Sequence, residues 1–299
     1  MATRSGSIPD VRYGVCIPHA GRFCVPDAIT TIARACEDAG YDSIWVSDHI
    51  VVPEGHSYIP EIIDEPLAVL AYLASVTQRV TIGTSVLIVP YRDPVFTAKF
   101  LSTADVLSDG RLVVGVGIGW LEEEFDALGV PFGERAARTD EYLRVYRNLW
   151  ETDTSTFDGR FKRYRNMRMF PKAARDRDGT IPIWVGGNTQ AAIRRAADLG
   201  DGWHPINLTV DQFAAGVDAY RSACDRETGP VCMRWMPGFS LGAPERNGPF
   251  TGSPEEQASD VRAFAKAGLD ELMLSPTKRT VEEFVELVLR FASDVVPRV

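Results

Sequence analysis

The sequence predicts an α/β protein: a closed (β/α)8 barrel of the TIM type that takes residues 1–299 as one domain. Three observations predict it. Short β-rich runs alternate with longer amphipathic segments from end to end, and eight such units close a barrel. Strand candidates such as Leu112-Val113-Val114 and Ile181 to Val185 are almost wholly apolar, as in a parallel sheet covered on both faces. Recurrent glycines and capping residues mark where helices stop and start.

In chain order, the strands fall at 12–18, 43–48, 80–89, 111–117, 181–186, 202–206, 232–239 and 271–275. The helices fall at 26–39, 65–77, 94–108, 122–150, 189–199, 210–226, 254–267 and 280–295. Three helices end in a glycine placed to adopt a left-handed conformation, namely Gly40, Gly200 and Gly268. Helix starts are signalled by Asp93-Pro94, by Thr209 with Gln212, by Ser253-Pro254 with Glu256, and by Thr280 with Glu283. Residues 151–180, before the fifth strand, are too many for an ordinary connection and form an insertion. Eight Lys/Arg against one acid lie within 160–177, which reads either as a solvated surface hairpin or as a lid attracting an anionic ligand. A second long loop, 240–253, follows the seventh strand and is expected at the same end of the barrel.

Composition narrows the function. Lys and Arg number 32 and Asp and Glu 41, a formal charge of −9, which disfavours a general nucleic-acid binder. Five scattered cysteines without a C-x-x-C pair indicate neither zinc nor a thioredoxin-type site and suit a reducing cytoplasm. The first ten residues lack the apolar core of a signal peptide, and the apolar run of ten in TIGTSVLIVP is too short for a membrane span. A cytoplasmic protein with a small-molecule substrate, no nucleic-acid or membrane partner and no metal is expected.

Chemistry concentrates at the C-terminal ends of the strands, where a barrel of this kind keeps its active site. Gly115-Val116-Gly117-Ile118-Gly119-Trp120 fails the dinucleotide fingerprint, because the third glycine position is Trp120. It leaves a strand end nearly free of side chains, suited either to tight packing or to a flat ligand. Val185-Gly186-Gly187-Asn188-Thr189 leads into a helix and presents backbone N–H groups to an anion, although a plain turn uses the same residues. Ser47-Asp48-His49 brings an acid and an imidazole to the second strand end. The four histidines (His19, His49, His56, His204) show no metal-ligand spacing, and no serine-hydrolase elbow is present.

With Ser47-Asp48-His49-Ile50, Gly83-Thr84-Ser85-Val86-Leu87, the strand-four glycines, Val185 to Asn188 and Gly200-Asp201-Gly202-Trp203 in this order, the chain resembles the bacterial luciferase-like monooxygenase superfamily. Within it, the likeness is to the branch that uses the deazaflavin coenzyme F420. The resemblance implies a cis peptide between Ser85 and Val86, a ring bound beside Asp48, His49, Thr84, Ser85 and Val86, and room for it at Gly117 and Gly119. It implies that Gly186, Gly187 and Asn188 hold the tail phosphate, that His49 is catalytic, and that Trp120 and His19 face the substrate. Sugar-phosphate dehydrogenases of this kind carry an acid where this chain has Trp120, so a more hydrophobic substrate is expected. The expected function is hydride transfer between F420 and an organic substrate. The alternatives are a monooxygenase using reduced FMN from a reductase partner, and a catalytically silent cofactor-binding barrel. A homodimer or larger homo-oligomer is expected from the resemblance.

Overall fold

The computed structural model describes residues 10–57, 59–173, 180–236, 240–241, 246, 248–276 and 278–299. Eight parallel strands form one sheet. They are β1 (Arg12–Cys16), β2 (Ser43–Val46), β3 (Thr81–Ile88), β4 (Leu112–Gly117), β7 (Ile183–Gly186), β8 (Gly202–His204), β9 (Cys232–Trp235) and β12 (Glu271–Leu274). Their order is β8-β7-β4-β3-β2-β1-β12-β9. Parallel bridges from Trp203 to Val231 and from Ile206 to Arg234 join the two ends, so the sheet closes into the predicted barrel.

Period-two alternation sorts each strand into an outer and an inner set. The outer residues, among them Val15, Ile44, Val114, Val185 and Leu272, are buried beneath the surrounding helices. The inner residues Cys16, Trp45, Val113, Trp184, Cys232 and Met273 meet on the axis as a separate apolar plug. Below that plug Trp45 Nε1 donates to Ser43 Oγ at 2.6 Å, Ser43 donates to the buried Glu271 carboxylate, and Arg12 lies 3.6 Å from Glu271. The N-terminal end is thereby sealed, and polar chemistry is left to the other end.

The helices are α1 (Pro26–Asp38), α2 (Pro66–Val76), α3 (Pro94–Leu107), α4 (Glu122–Ala127), α5 (Arg135–Glu151), α6 (Gln190–Leu199), α7 (Val210–Ala223), α8 (Pro254–Lys266) and α9 (Val281–Arg290). The capping boxes at Thr209/Gln212 and Ser253/Glu256 form as read, and Asp93 and Thr280 cap α3 and α9. Gly40 and Gly268 take positive φ, but Gly200 sits at φ −96°. Gly200 is required instead by close approach, because a Cβ there would lie 2.9 Å from Val185 Cγ2 and 3.0 Å from the Ala196 carbonyl.

The expected single helix over 122–150 is two. Gly129 at φ +68° ends α4, with the Val130 N–H reaching back to the Phe125 carbonyl at 3.0 Å, and Pro131 prevents resumption. The strands are also shorter than read, β9 ending at Trp235, with 237–239 outside the described residues.

The 151–180 insertion contains an antiparallel hairpin, β5 (Ser155–Asp158) with β6 (Arg163–Met167). Glu141 of α5 accepts N–H groups of Arg160, Phe161 and Lys162 at 2.7–2.9 Å and pins the hairpin turn to that helix. Arg160, Lys162 and Arg163, three of the eight basic residues, pair with Glu134, Asp93 and Asp158. These contacts fit the surface-hairpin reading. Arg175 and Arg177 lie outside the described residues, as does much of the 240–253 loop, where Ser240–Leu241 (β10) pairs with Thr251–Gly252 (β11). Among the described residues no helix is long and apolar enough to cross a membrane, and no cluster of metal-ligating side chains occurs.

Candidate active site

The C-terminal mouth is built around a break in β3. Its register against β4 shifts between Thr84 and Leu87, and the Ser85–Val86 peptide within the shift is cis, as the resemblance implies. Glycines surround this bulge. A Cβ on Gly117 would lie 2.5 Å from Val86 Cγ2, one on Gly186 would lie 2.8 Å from Val86 Cγ1, and one on Gly115 would strike the Thr84 carbonyl. Gly119, at φ +81°, would meet Ile88 and Phe125. The Cβ positions of Gly117 and Gly119, the glycines expected to leave room for the ring, are therefore occupied by the protein's own side chains. Gly115, Gly117 and Gly186 let their strands pack against the bulge, and Gly119 lets the chain pass Ile88 and Phe125.

Directly above the apolar plug, the next inward layer is polar. Ser85 Oγ lies 2.8 Å from His204 Nε2, and His204 Nδ1 lies 2.6 Å from the Cys232 carbonyl. A carbonyl only accepts, so Nδ1 carries the proton and Nε2 accepts from the serine hydroxyl. Burial lowers the His204 pKa to about 4, which keeps the ring neutral. Its face stacks on Trp45 at 6.0 Å. His19 is arranged likewise: Nδ1 donates to the Asp64 carbonyl at 3.2 Å, Nε2 accepts the Ser47 N–H at 3.0 Å, and burial lowers its pKa. With both nitrogens engaged, His19 fixes the β1 and β2 loops, and its expected substrate contact has no free ring nitrogen.

Arg234 completes the layer. Its Nη1 donates to Ser47 Oγ at 3.1 Å, to Ser85 Oγ at 3.3 Å and to the Ser85 carbonyl, while Nη2 donates to Ser275 Oγ at 3.0 Å.

A second network supports the rim. Asp48 accepts both guanidinium arms of Arg92 at 2.7 and 2.8 Å and the Ile88 N–H at 2.8 Å. Burial raises the Asp48 pKa against these bonds, while the Asp48 and Glu65 contacts outweigh burial and raise that of Arg92. Both Asp48 oxygens are thus committed to bracing the end of β3 rather than to a bound ring. Thr84 is similarly committed, donating to the Gly115 carbonyl at 2.7 Å.

His49 differs. Its Nδ1 meets Glu124 Oε2 at 2.8 Å, and its side chain is 15% exposed at the mouth. Glu124 is fully buried and also accepts from Ile50 N at 2.5 Å, Val51 N at 3.2 Å and Tyr91 Oη at 2.8 Å. Burial alone would raise its pKa, but the bonds from His49, Ile50 and Tyr91 prevail and lower it. Trp120, 57% exposed, stands edge-on to His49 at 6.2 Å and tilted against His56 at 5.8 Å.

At the expected phosphate end, Asn188 is exposed but bonded to the neighbouring strand end. Its side chain accepts the Ile206 N–H at 3.0 Å and donates to the Ile206 carbonyl at 2.7 Å, and the Gly187 N–H goes to the His204 carbonyl at 3.3 Å. Also facing outward is the start of α6, where Thr189 caps Ala192, Gln190 and Ala191 are exposed, and the first turn holds no acid. Glu124, His204, Arg234 and the Arg92–Tyr91 pair are the residues that sequence reasoning missed.

The chain belongs to the luciferase-like monooxygenase family, whose profile matches residues 14–232. It is 32% identical over 345 aligned residues to an F420-dependent glucose-6-phosphate dehydrogenase of Amycolatopsis mediterranei, covering 93% of this chain and 96% of that one. It is 31% identical to an FMNH2-dependent dimethylsulfone monooxygenase of Pseudomonas fluorescens, over 64% of this chain and 51% of the other. The solved monooxygenase RslO1 of Streptomyces bottropensis superposes with a TM-score of 0.81 at 21% identity, over 96% of this chain and 99% of that one, a likeness of fold.

Proposed function

We propose that this protein is an F420-dependent oxidoreductase acting on a rather hydrophobic organic substrate. The observation that carries the F420 reading is the likeness, along nearly the full length of both chains, to an F420-dependent dehydrogenase; the FMN-dependent relative matches only about half of its own chain. When bound, the deazaflavin supplies hydride transfer to or from a substrate carbon.

The residues present fit a ring with polar edges and an anionic tail. The Arg234 Nε is buried without a partner, so the layer beneath the mouth still has donor capacity. The start of α6 offers exposed N–H groups with no competing acid. Ser85, Val86 and His49 would flank the ring, with Gly186 and the N-terminal turn of α6 at its tail. His49, aligned by Glu124, is placed to hold or move a proton at its Nε2. Trp120 offers an aromatic wall where a sugar-phosphate enzyme of this kind would need an acid, which is why the substrate class differs from that named for the Amycolatopsis relative.

Titration of the purified protein with F420 and with FMN, followed by tryptophan fluorescence, tests this. F420 binding at least about tenfold tighter than FMN is expected. The reverse order would select the FMN monooxygenase reading, favoured by the Pseudomonas relative, in which a partner reductase supplies the reduced flavin. Tight F420 binding with no turnover over a broad substrate panel would select the silent barrel.

A further inference from the structure

The polar layer of the mouth contains a cation and, among the described residues, no anion paired with it. Arg92 forks onto Asp48 and meets Glu65, and Arg12 faces Glu271, whereas Arg111, at the other end of β4, is held by carbonyls and Thr77. Arg234 instead donates to three serine hydroxyls and one carbonyl, all neutral, and its Nε is buried with no acceptor at all. The two imidazoles of the same layer do not offset the charge. His19 and His204 are held neutral by burial, and the positive field of Arg234 acts in the same direction on both.

A guanidinium held in this layer without a carboxylate is costly in the free protein. A planar fork of N–H donors is also the side-chain geometry that best fits a planar oxyanion. The alternation along β9 directs Arg234 inward just above Cys232, and β2, β3 and β12 deliver Ser47, Ser85 and Ser275 to the same level. The site is thus built by four strands and is not a chance surface arginine.

We propose that Arg234, with Ser47, Ser85 and Ser275, is a preformed subsite for a planar oxyanion at the base of the mouth. Two sources share that chemistry. One is a substrate carboxylate. The other rests on the F420 reading: a hydride brings two electrons and one proton, so the ring gains one negative charge unless a further proton is taken up, and the subsite would hold that charged edge.

The test uses the intact protein and two pairs of probes. Calorimetric titration compares benzoate with benzamide, which share a shape and differ in charge. Fluorescence titration compares oxidised with reduced F420. Parent protein should prefer benzoate to benzamide, or reduced to oxidised cofactor, by about tenfold or more. The first preference identifies the carboxylate source and the second the cofactor. Arg234→Met should abolish whichever preference is found, while Arg234→Lys, which keeps the charge and loses the fork, should retain part of it. The proposal is overturned if the parent shows neither preference, a result that does not depend on any variant folding. It is overturned equally if a folded Arg234→Met keeps the parent's preference, since the guanidinium would then only brace the serines. Failure of F420 to bind alongside a clear benzoate preference would remove the cofactor reading and leave the subsite standing.

Discussion

At the scale of single residues, Glu124 shows how much one carboxylate can organise. It gathers four donors, three from the β2 loop including His49 and one from the turn after β3. Glu124→Ala would strand them, and a loss of about 3–5 kcal/mol is expected in denaturant unfolding. His49→Ala touches less of the structure and should leave the protein folded while turnover drops roughly a hundredfold or more; an unchanged rate in steady-state assays would remove His49 from catalysis. Glu124 was not legible in the sequence because Glu122-Glu123-Glu124 reads as an ordinary acidic first turn of a helix. Only the fold decides that the third of these acids, and not the first two, points into the protein. His204 and Arg234 were nearer to view. A histidine closing a strand, and a charge two positions after an inward cysteine, both break an apolar inner face, and period-two counting would have singled them out.

At the scale of elements, the bulge in β3 and the glycines packed against it form one unit. Gly117→Ala and Gly186→Ala each place a methyl against Val86. Each should cost about 1–3 kcal/mol in unfolding experiments and weaken F420 binding by displacing the bulge. Thr209→Ala, at the capping box of α7, serves as the control: about 1 kcal/mol of stability lost and no change in binding. Strand positions and most caps could be read from local pattern because each signal needs only its own few residues. The α4–α5 break was missed although Gly129 and Pro131 mark it, because apolar spacing persists across the gap and outweighed the two breakers. Asp48 and Asn188 were placed correctly at the rim, but which partner would claim their side chains depends on Arg92 and Ile206, brought there by other strands.

At the scale of the whole molecule, the closed sheet puts two neutral imidazoles in buried positions, and that has a stability consequence. A ring whose proton affinity falls on folding costs stability wherever the unfolded chain holds the proton and the native one does not. For His204 that window runs from about pH 6.5 down to about 4, and the loss across it is roughly 3 kcal/mol. Glu124, with its lowered pKa, adds a further loss as pH falls below about 4.5. Thermal unfolding at pH 7 and pH 4.5 should therefore show a smaller drop for His204→Gln than for the parent, and equal drops would mean that the ring titrates freely. For the native state the same arrangement acts the other way. His204 stays uncharged across the mildly acidic range in which imidazoles in water change their charge. The floor of the mouth therefore gains no charge from that ring, whether the surroundings are neutral or slightly sour.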